Sequence, residues 1–195
     1  MPFIIAPLSS VKGPGQYPEY QDALKSLQDS AFQQAKDLWD GAEPGGLLPG
    51  AKQFGIGPFR KNDMAGNTSD SAPSGTYTYN ATITAANAWR DIFNYTVRNN
   101  MIHAFAGLAF TDDTLRAIQI RMEIGDRRFP IWDIQEAQIY GRFAVIFKED
   151  QGKELIARPQ ERVLIRIYVE STGVQRVVPL GFQLFRTSNL VLTET

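Results

Sequence analysis

His103 is the only histidine in the chain, and it sits in the apolar run from Met101 to Ala106. An imidazole in that setting is expected to be a hydrogen-bonded structural group, because a general base must reach a substrate's proton. There is no cysteine, so thiolate nucleophiles, disulfides and thiolate metal ligation are excluded. With one histidine and no cysteine, a zinc site lacks its ligands. A cupin-type centre, which needs several histidines on neighbouring strands, is excluded in the same way. Gly13-Pro14-Gly15 and Gly55-Ile56-Gly57-Pro58 have the glycine density of phosphate loops. Neither follows a strand or opens a helix, and their prolines remove backbone donors that such a loop requires. No Gly-x-Ser-x-Gly nucleophile elbow occurs.

Carboxylates are the remaining source of chemistry. Asp112-Asp113 could help hold Ca²⁺, but without an EF-hand loop pattern the run from Thr111 to Thr114 reads as turn or capping chemistry. Asp133 and Glu136 would make a glycosidase pair only if the fold set them across a cleft. The expectation is a non-enzymatic protein with no cofactor and no metal. Trp89, Tyr95, Trp132, Tyr140 and Phe143 would line a sugar platform if they shared an open sheet face. That second reading, a carbohydrate-binding module or adhesin, implies a glycan receptor as partner.

The formal net charge of −1 gives no whole-chain case for nucleic acid or an anionic membrane. Beyond residue 76 the cations are arginines from Arg90 to Arg186, apart from Lys148 and Lys153. Arginine is enriched at interface cores, which marks Arg162 and Arg166 as candidate contacts. Met1 to Pro7 has no basic region and too short an apolar run for a signal peptide. No apolar stretch approaches the length that spans a bilayer. The triplets beginning at Asn67, Asn80 and Asn94 match glycosylation acceptors by chance on this reading.

Two regions must position these residues. Residues 1–75 read as an arm, a helix and a long loop. The arm, residues 1–18, is broken by Pro2, Pro7, Gly13, Pro14, Gly15 and Pro18 and has too little alternation for a strand of its own. Its tip, Phe3-Ile4-Ile5, is apolar and needs a surface. From about 18 to 40, Tyr20, Leu24, Leu27, Ala31, Ala35 and Leu38 recur at helical spacing and Gly41 is a natural stop. Residues 41–75 are dense in glycine and proline, yet Leu47, Leu48, Phe54 and Phe59 make them too apolar for a solvated linker. Ordering such segments costs entropy, which burial on a neighbouring subunit would offset. Contacts with other copies are therefore expected at Phe3, Ile4, Ile5, Leu47, Leu48, Phe54 and Phe59.

Residues 76–195 read as an antiparallel β-sandwich. Thr76 to Thr84 is β-branched and aromatic, and Ile118, Ile120, Met122 and Ile124 alternate with Gln119, Arg121 and Glu123. Gly125-Asp126 is a hairpin turn, and Tyr140 to Lys148 is apolar on both faces, as in a central strand. Val163, Ile165, Ile167 and Val169 point inward against Arg162 and Arg166, and Thr172-Gly173 turns the chain into a strand ending near Phe185. Residues 85–98 fit either strand or helix.

The segment from Leu155 through Pro159 and Val169, the Ser171-Thr172-Gly173 turn, and the run from Val178 through Gly181 to Arg186 resemble the closing strands of jelly-roll proteins of virus particles. The resemblance, mainly over residues 155–186, implies a jelly-roll-like body. It also implies a capsid, cement or decoration role, and a virion location after assembly in a host cytoplasm. Its partners would be copies of itself and other subunits, reached by the arm and the loop.

Overall fold

The computed structural model describes residues 3–7, 18–45, 53–60, 63–64, 71–73, 78–147 and 155–186. The chain is mostly β, an antiparallel sandwich of two sheets with one long helix. Strand β1 (Phe3–Pro7) precedes helix α1 (Pro18–Leu38), and β2 (Glu43–Pro44), β3 (Gln53–Gly57) and β4 (Ser71–Pro73) follow it. Then come β5 (Tyr79–Ile83), β6 (Ala88–Thr96), β7 (Met101–Phe110), β8 (Ala117–Ile124), β9 (Arg127–Arg128) and β10 (Trp132–Asp133). A 3₁₀ helix (Gln135–Tyr140) leads to β11 (Phe143–Phe147), β12 (Ile156–Ala157), β13 (Arg162–Val169) and β14 (Gly173–Arg186).

The nine-stranded sheet runs β1-β11-β7-β14-β3-β2, with β5 and β4 added along β14 and β12 along β7. The five-stranded sheet runs β10-β8-β13-β6, with β9 beside β8. Pairing is nested. β5 lies against β14, β6 against β13, β7 against β11 and β8 against β10. Ring contacts between the sheets fix how they face each other. Tyr79 meets Phe93 edge-on at 4.8 Å and Trp132 stacks on Phe147 at 4.4 Å.

Alternation does its expected work on β8 and β13. Ile120, Met122, Ile124, Val163, Ile165, Ile167 and Val169 are all 0 % exposed, while Gln119, Arg121, Glu123, Arg162 and Arg166 point out. Ile118, expected inward, is only half-buried, because the register shifts at the start of β8 and Ala117 takes the buried place. Gly125, at φ 56°, turns β8 into β9 as a left-handed residue must. Residues 85–98 resolve as strand, since β6 occupies 88–96. All ten residues of β7 are buried, though nothing but the apolar setting of His103 marked that run beforehand. Gly181, at φ 137°, forms the bulge between β14 and β7, where an added Cβ would meet the Ala104 carbonyl oxygen at 2.1 Å.

Helix α1 ends as expected, with Gly41 at φ 71° and its N–H donating to the Lys36 carbonyl at 2.7 Å. It packs on β7 and β14 through Leu27, Ala31 and Ala35, and Arg158 Nε donates to Gln34 Oε1 at 2.9 Å. The helix stripe therefore packs on this chain's own core from Tyr20 to Ala35, while Leu38 at its end is 45 % exposed.

Two expectations are corrected. Residues 3–7 are not a free arm but a strand in antiparallel register with β11, Phe3 opposite Phe147 and Pro7 opposite Phe143. The region 41–75 is not all loop either. It contributes β2, β3 and β4, with Gly57 opposite Gln183 and Phe54 opposite Arg186. Both corrections have one cause. A strand can form from a short, unpatterned segment when a partner strand supplies the hydrogen bonds.

Candidate assembly surface and buried polar cluster

The N-terminal strand forms one border of the nine-stranded sheet. β1 hydrogen-bonds to β11 on one side, and no described strand lies on the other. Phe3, Ile4 and Ile5 are half-buried, and Ala6 is 1 % exposed. Phe3 and Ile5 lean on the core, and with Asp133, Gln135 and Glu136 they line a hollow of about 350 Å³. Two large aliphatic side chains stand out on the adjoining segment, Ile131 at 51 % and Ile139 at 79 % exposure. An uncharged backbone edge without a described partner strand, on a chain that also exposes large isoleucines, is a surface suited to pairing.

Asp133 and Glu136 do line one hollow, but they come from one short segment rather than from two walls. Asp133 Oδ1 accepts the Gln135 N–H at 3.0 Å, which caps the 3₁₀ helix. Asp112 and Asp113 are likewise engaged in the chain's own framework. Asp112 accepts from Gln175 Nε2 at 3.1 Å, and Arg142 Nε donates to Asp113 Oδ1 at 2.8 Å.

The other candidate contacts divide. Phe54 is 0 % and Phe59 4 % exposed, so both belong to the internal core and not to a contact with another chain. Phe54 meets Phe32 at 5.2 Å and Trp39 at 6.0 Å, joining β3 to α1, and Phe59 stacks on Phe105 at 5.0 Å. The outer side of the large sheet needed an apolar cover, and this region provides it. Leu47 and Leu48 lie outside the described residues. Arg162 and Arg166 sit on the outward face of the small sheet, where each already has a partner. Arg162 Nε donates to Asn94 Oδ1 at 2.9 Å and Arg166 Nε to Asp91 Oδ1 at 2.8 Å.

The aromatic platform is not assembled. Trp132 and Phe143 are 1 % and 0 % exposed and Tyr95 is 6 %, all inside the sandwich. Only Trp89 reaches the outward face, edge-on to Tyr168 at 5.6 Å. The side chain of Tyr140 is not among those described.

His103 is 0 % exposed, as its apolar neighbours predicted. Its Nδ1 is 2.7 Å from the Tyr95 hydroxyl, and the ring lies edge-on to both Phe59 and Phe105. Beside it, Gln183 Nε2 donates to Asp63 Oδ2 at 3.0 Å, and Arg98 pairs with Asp63 Oδ1 at 3.0 Å. Burial, aided by the Arg98 charge, lowers the His103 pKa to about 3. Burial also raises Tyr79 to about 12 and holds Tyr95 well above the usual phenol range. Asp63 and Gln183 were not legible as members of this cluster, because neither lies in an apolar pattern that marks it as buried.

The cluster has a consequence for acid stability. His103 stays neutral in the folded chain down to about pH 3, while in the unfolded chain it binds a proton below about 6.5. Its depressed pKa therefore supplies stability that is fully present above pH 6.5 and is lost as pH falls toward 3. Within that window the loss is about 1.4 kcal/mol per pH unit. Urea melts between pH 7 and pH 4 should show this slope, and His103→Phe should remove it from the profile. An unchanged slope in the variant would assign the acid loss to other groups.

The chain matches no protein-family model, no curated protein and no solved structure. The two exposed isoleucines, Ile131 and Ile139, were not singled out by sequence. Ile131 follows Pro130 between Phe129 and Trp132, and Ile139 lies in the 3₁₀ helix, just before the run from Tyr140 that reads as a strand. No described helix is long and apolar enough to cross a membrane.

Proposed function

We propose that this chain is a structural subunit of a particle, a virus capsid or capsid-decoration protein that packs against copies of itself and other subunits. The observation that carries the reading is the β1 edge, uncharged over Phe3–Pro7 and with no described strand on its outer side; the exposed Ile131 and Ile139 are further apolar surface of the same chain. Monomeric proteins commonly blunt such an edge with charge, a bulge or a cover. The nested pairing supports the same reading, since it is the connectivity of a jelly roll, which capsid proteins share with lectins and cupins. Fold alone does not choose among those three. The lone histidine, already bound to Tyr95, argues against a cupin site, and the inward aromatics argue against a sugar platform.

The test is assembly itself. Light scattering and electron microscopy of the purified full chain should show concentration-dependent association. Ile139→Lys should weaken that association at least tenfold while changing folding stability by no more than about 0.5 kcal/mol, as surface substitutions usually do. A chain that stays monomeric at every accessible concentration would end this reading.

A further inference from the structure

We infer that the core of the sandwich binds one internal water molecule, held between the His103 ring nitrogen Nε2 and the Gln183 side-chain oxygen Oε1. His103 and Gln183 are directly opposite residues of the adjacent strands β7 and β14, so their side chains stand on the same face of the large sheet. That face is the inner one, because His103 reaches across to Tyr95 of the small sheet. Both residues are 0 % exposed, and His103 Nε2 and Gln183 Oε1 are buried atoms with no hydrogen-bond partner. A buried donor or acceptor left unmet is costly, and ordered water meets such groups where side chains do not. Neither group is free to swing onto the other. The Gln183 amide is fixed by its Nε2, which donates to Asp63 Oδ2 at 3.0 Å, and Asp63 is fixed in turn by Arg98 at 3.0 Å. The imidazole is fixed by the Tyr95 hydroxyl, 2.7 Å from Nδ1, and by its edge-on contacts with Phe59 and Phe105. In this arrangement the Tyr95 hydroxyl donates to Nδ1 and the ring proton sits on Nε2, a donor, while Gln183 Oε1 is an acceptor. A water accepts from the first and donates to the second, whereas an ion of either charge would be repelled by one of the two. The bridge completes a hydrogen-bonded chain from Tyr95 through His103, Gln183 and Asp63 to Arg98, whose side chain is 55 % exposed. The site is separate from the assembly surface and does not depend on it.

His103 is the only histidine, so the full chain made with isotope-labelled histidine presents a single ring to observe. Nitrogen NMR at neutral pH should find Nε2 protonated and Nδ1 bare, and the Nε2 proton should give a cross-peak to a water bound long enough to be detected. A crystal structure of the full chain should place that water's oxygen within about 2.7–3.2 Å of both Nε2 and Oε1. In Gln183→Met, which keeps an unbranched side chain and removes the acceptor, the cross-peak should be lost. A ring proton on Nδ1, a direct hydrogen bond from Nε2 to Oε1, no ordered water at that point, or a cross-peak that persists in Gln183→Met would overturn the inference. The first two measurements use the wild-type chain, so they decide the matter even where Gln183→Met does not fold.

Discussion

Replacing Ile165 with arginine is expected to unfold the protein or bring it close to that point. Ile165 is 0 % exposed at the centre of β13, between Phe93 on β6 and Met122 on β8. A guanidinium there is buried between two apolar sheets with Phe93 and Met122 as its strand neighbours, and it cannot shed its proton. The cost is several kcal/mol, comparable to the whole stability of a domain. The adjacent Arg166→Ile is the contrast. Arg166 points outward and pairs with Asp91, the two side chains being 33 % and 21 % exposed. A half-exposed pair contributes about 0–1 kcal/mol, and Asp91 keeps its bond from Asn94 Nδ2 at 2.9 Å. Thermal and urea melts of the two variants should therefore separate widely. Equal large losses would place Arg166 in an interior, and a small loss from Ile165→Arg would mean that the register of β13 is wrong.

Gly107→Val is expected to be comparably severe, through backbone rather than charge. Gly107 lies on β7 where β11 crosses closest, and an added Cβ would stand 2.2 Å from the Val145 carbonyl oxygen and 3.2 Å from Ile146 Cα. Those are main-chain atoms of a fully buried strand, so no side-chain rotation relieves the clash. β7 and β11 would have to part, breaking ladder hydrogen bonds in the centre of the sheet and costing several kcal/mol. β11 also holds β1, so that border strand would shift with it. Gly57→Ala is the control, because its Cβ would meet only the Phe185 ring at 3.5 Å, an ordinary contact. Melts should show the valine variant strongly destabilised and the alanine variant nearly unchanged. Similar stability for both would show that the β7–β11 approach is looser than drawn.

What could be read beforehand was whatever has a local period. Alternation placed Ile120, Met122, Val163, Ile165 and Ile167 inward and Arg121 and Arg166 outward, and helical spacing with a glycine stop located α1. The apolar setting of His103 announced a buried imidazole. Segments without a period carried no such mark. Met101–Phe110 is apolar apart from His103 and has no alternation to reveal it, because a central strand is buried on both faces.

The sequence by itself determined the two-sheet sandwich, the one helix and the inward or outward direction of side chains on the patterned strands, since those depend on neighbours a few residues away. The tertiary structure alone decided that Phe3–Pro7 is a strand, that Phe54 and Phe59 belong to the chain's own core, and that Asp63 and Gln183 meet beside His103. Each depends on a partner far along the chain, as when Phe3 lies opposite Phe147 or Gln183 reaches Asp63. A short segment carries no local record of which distant strand will complete its hydrogen bonds, so only the closed fold shows that β1 pairs with β11 and that no described strand lies on its other side.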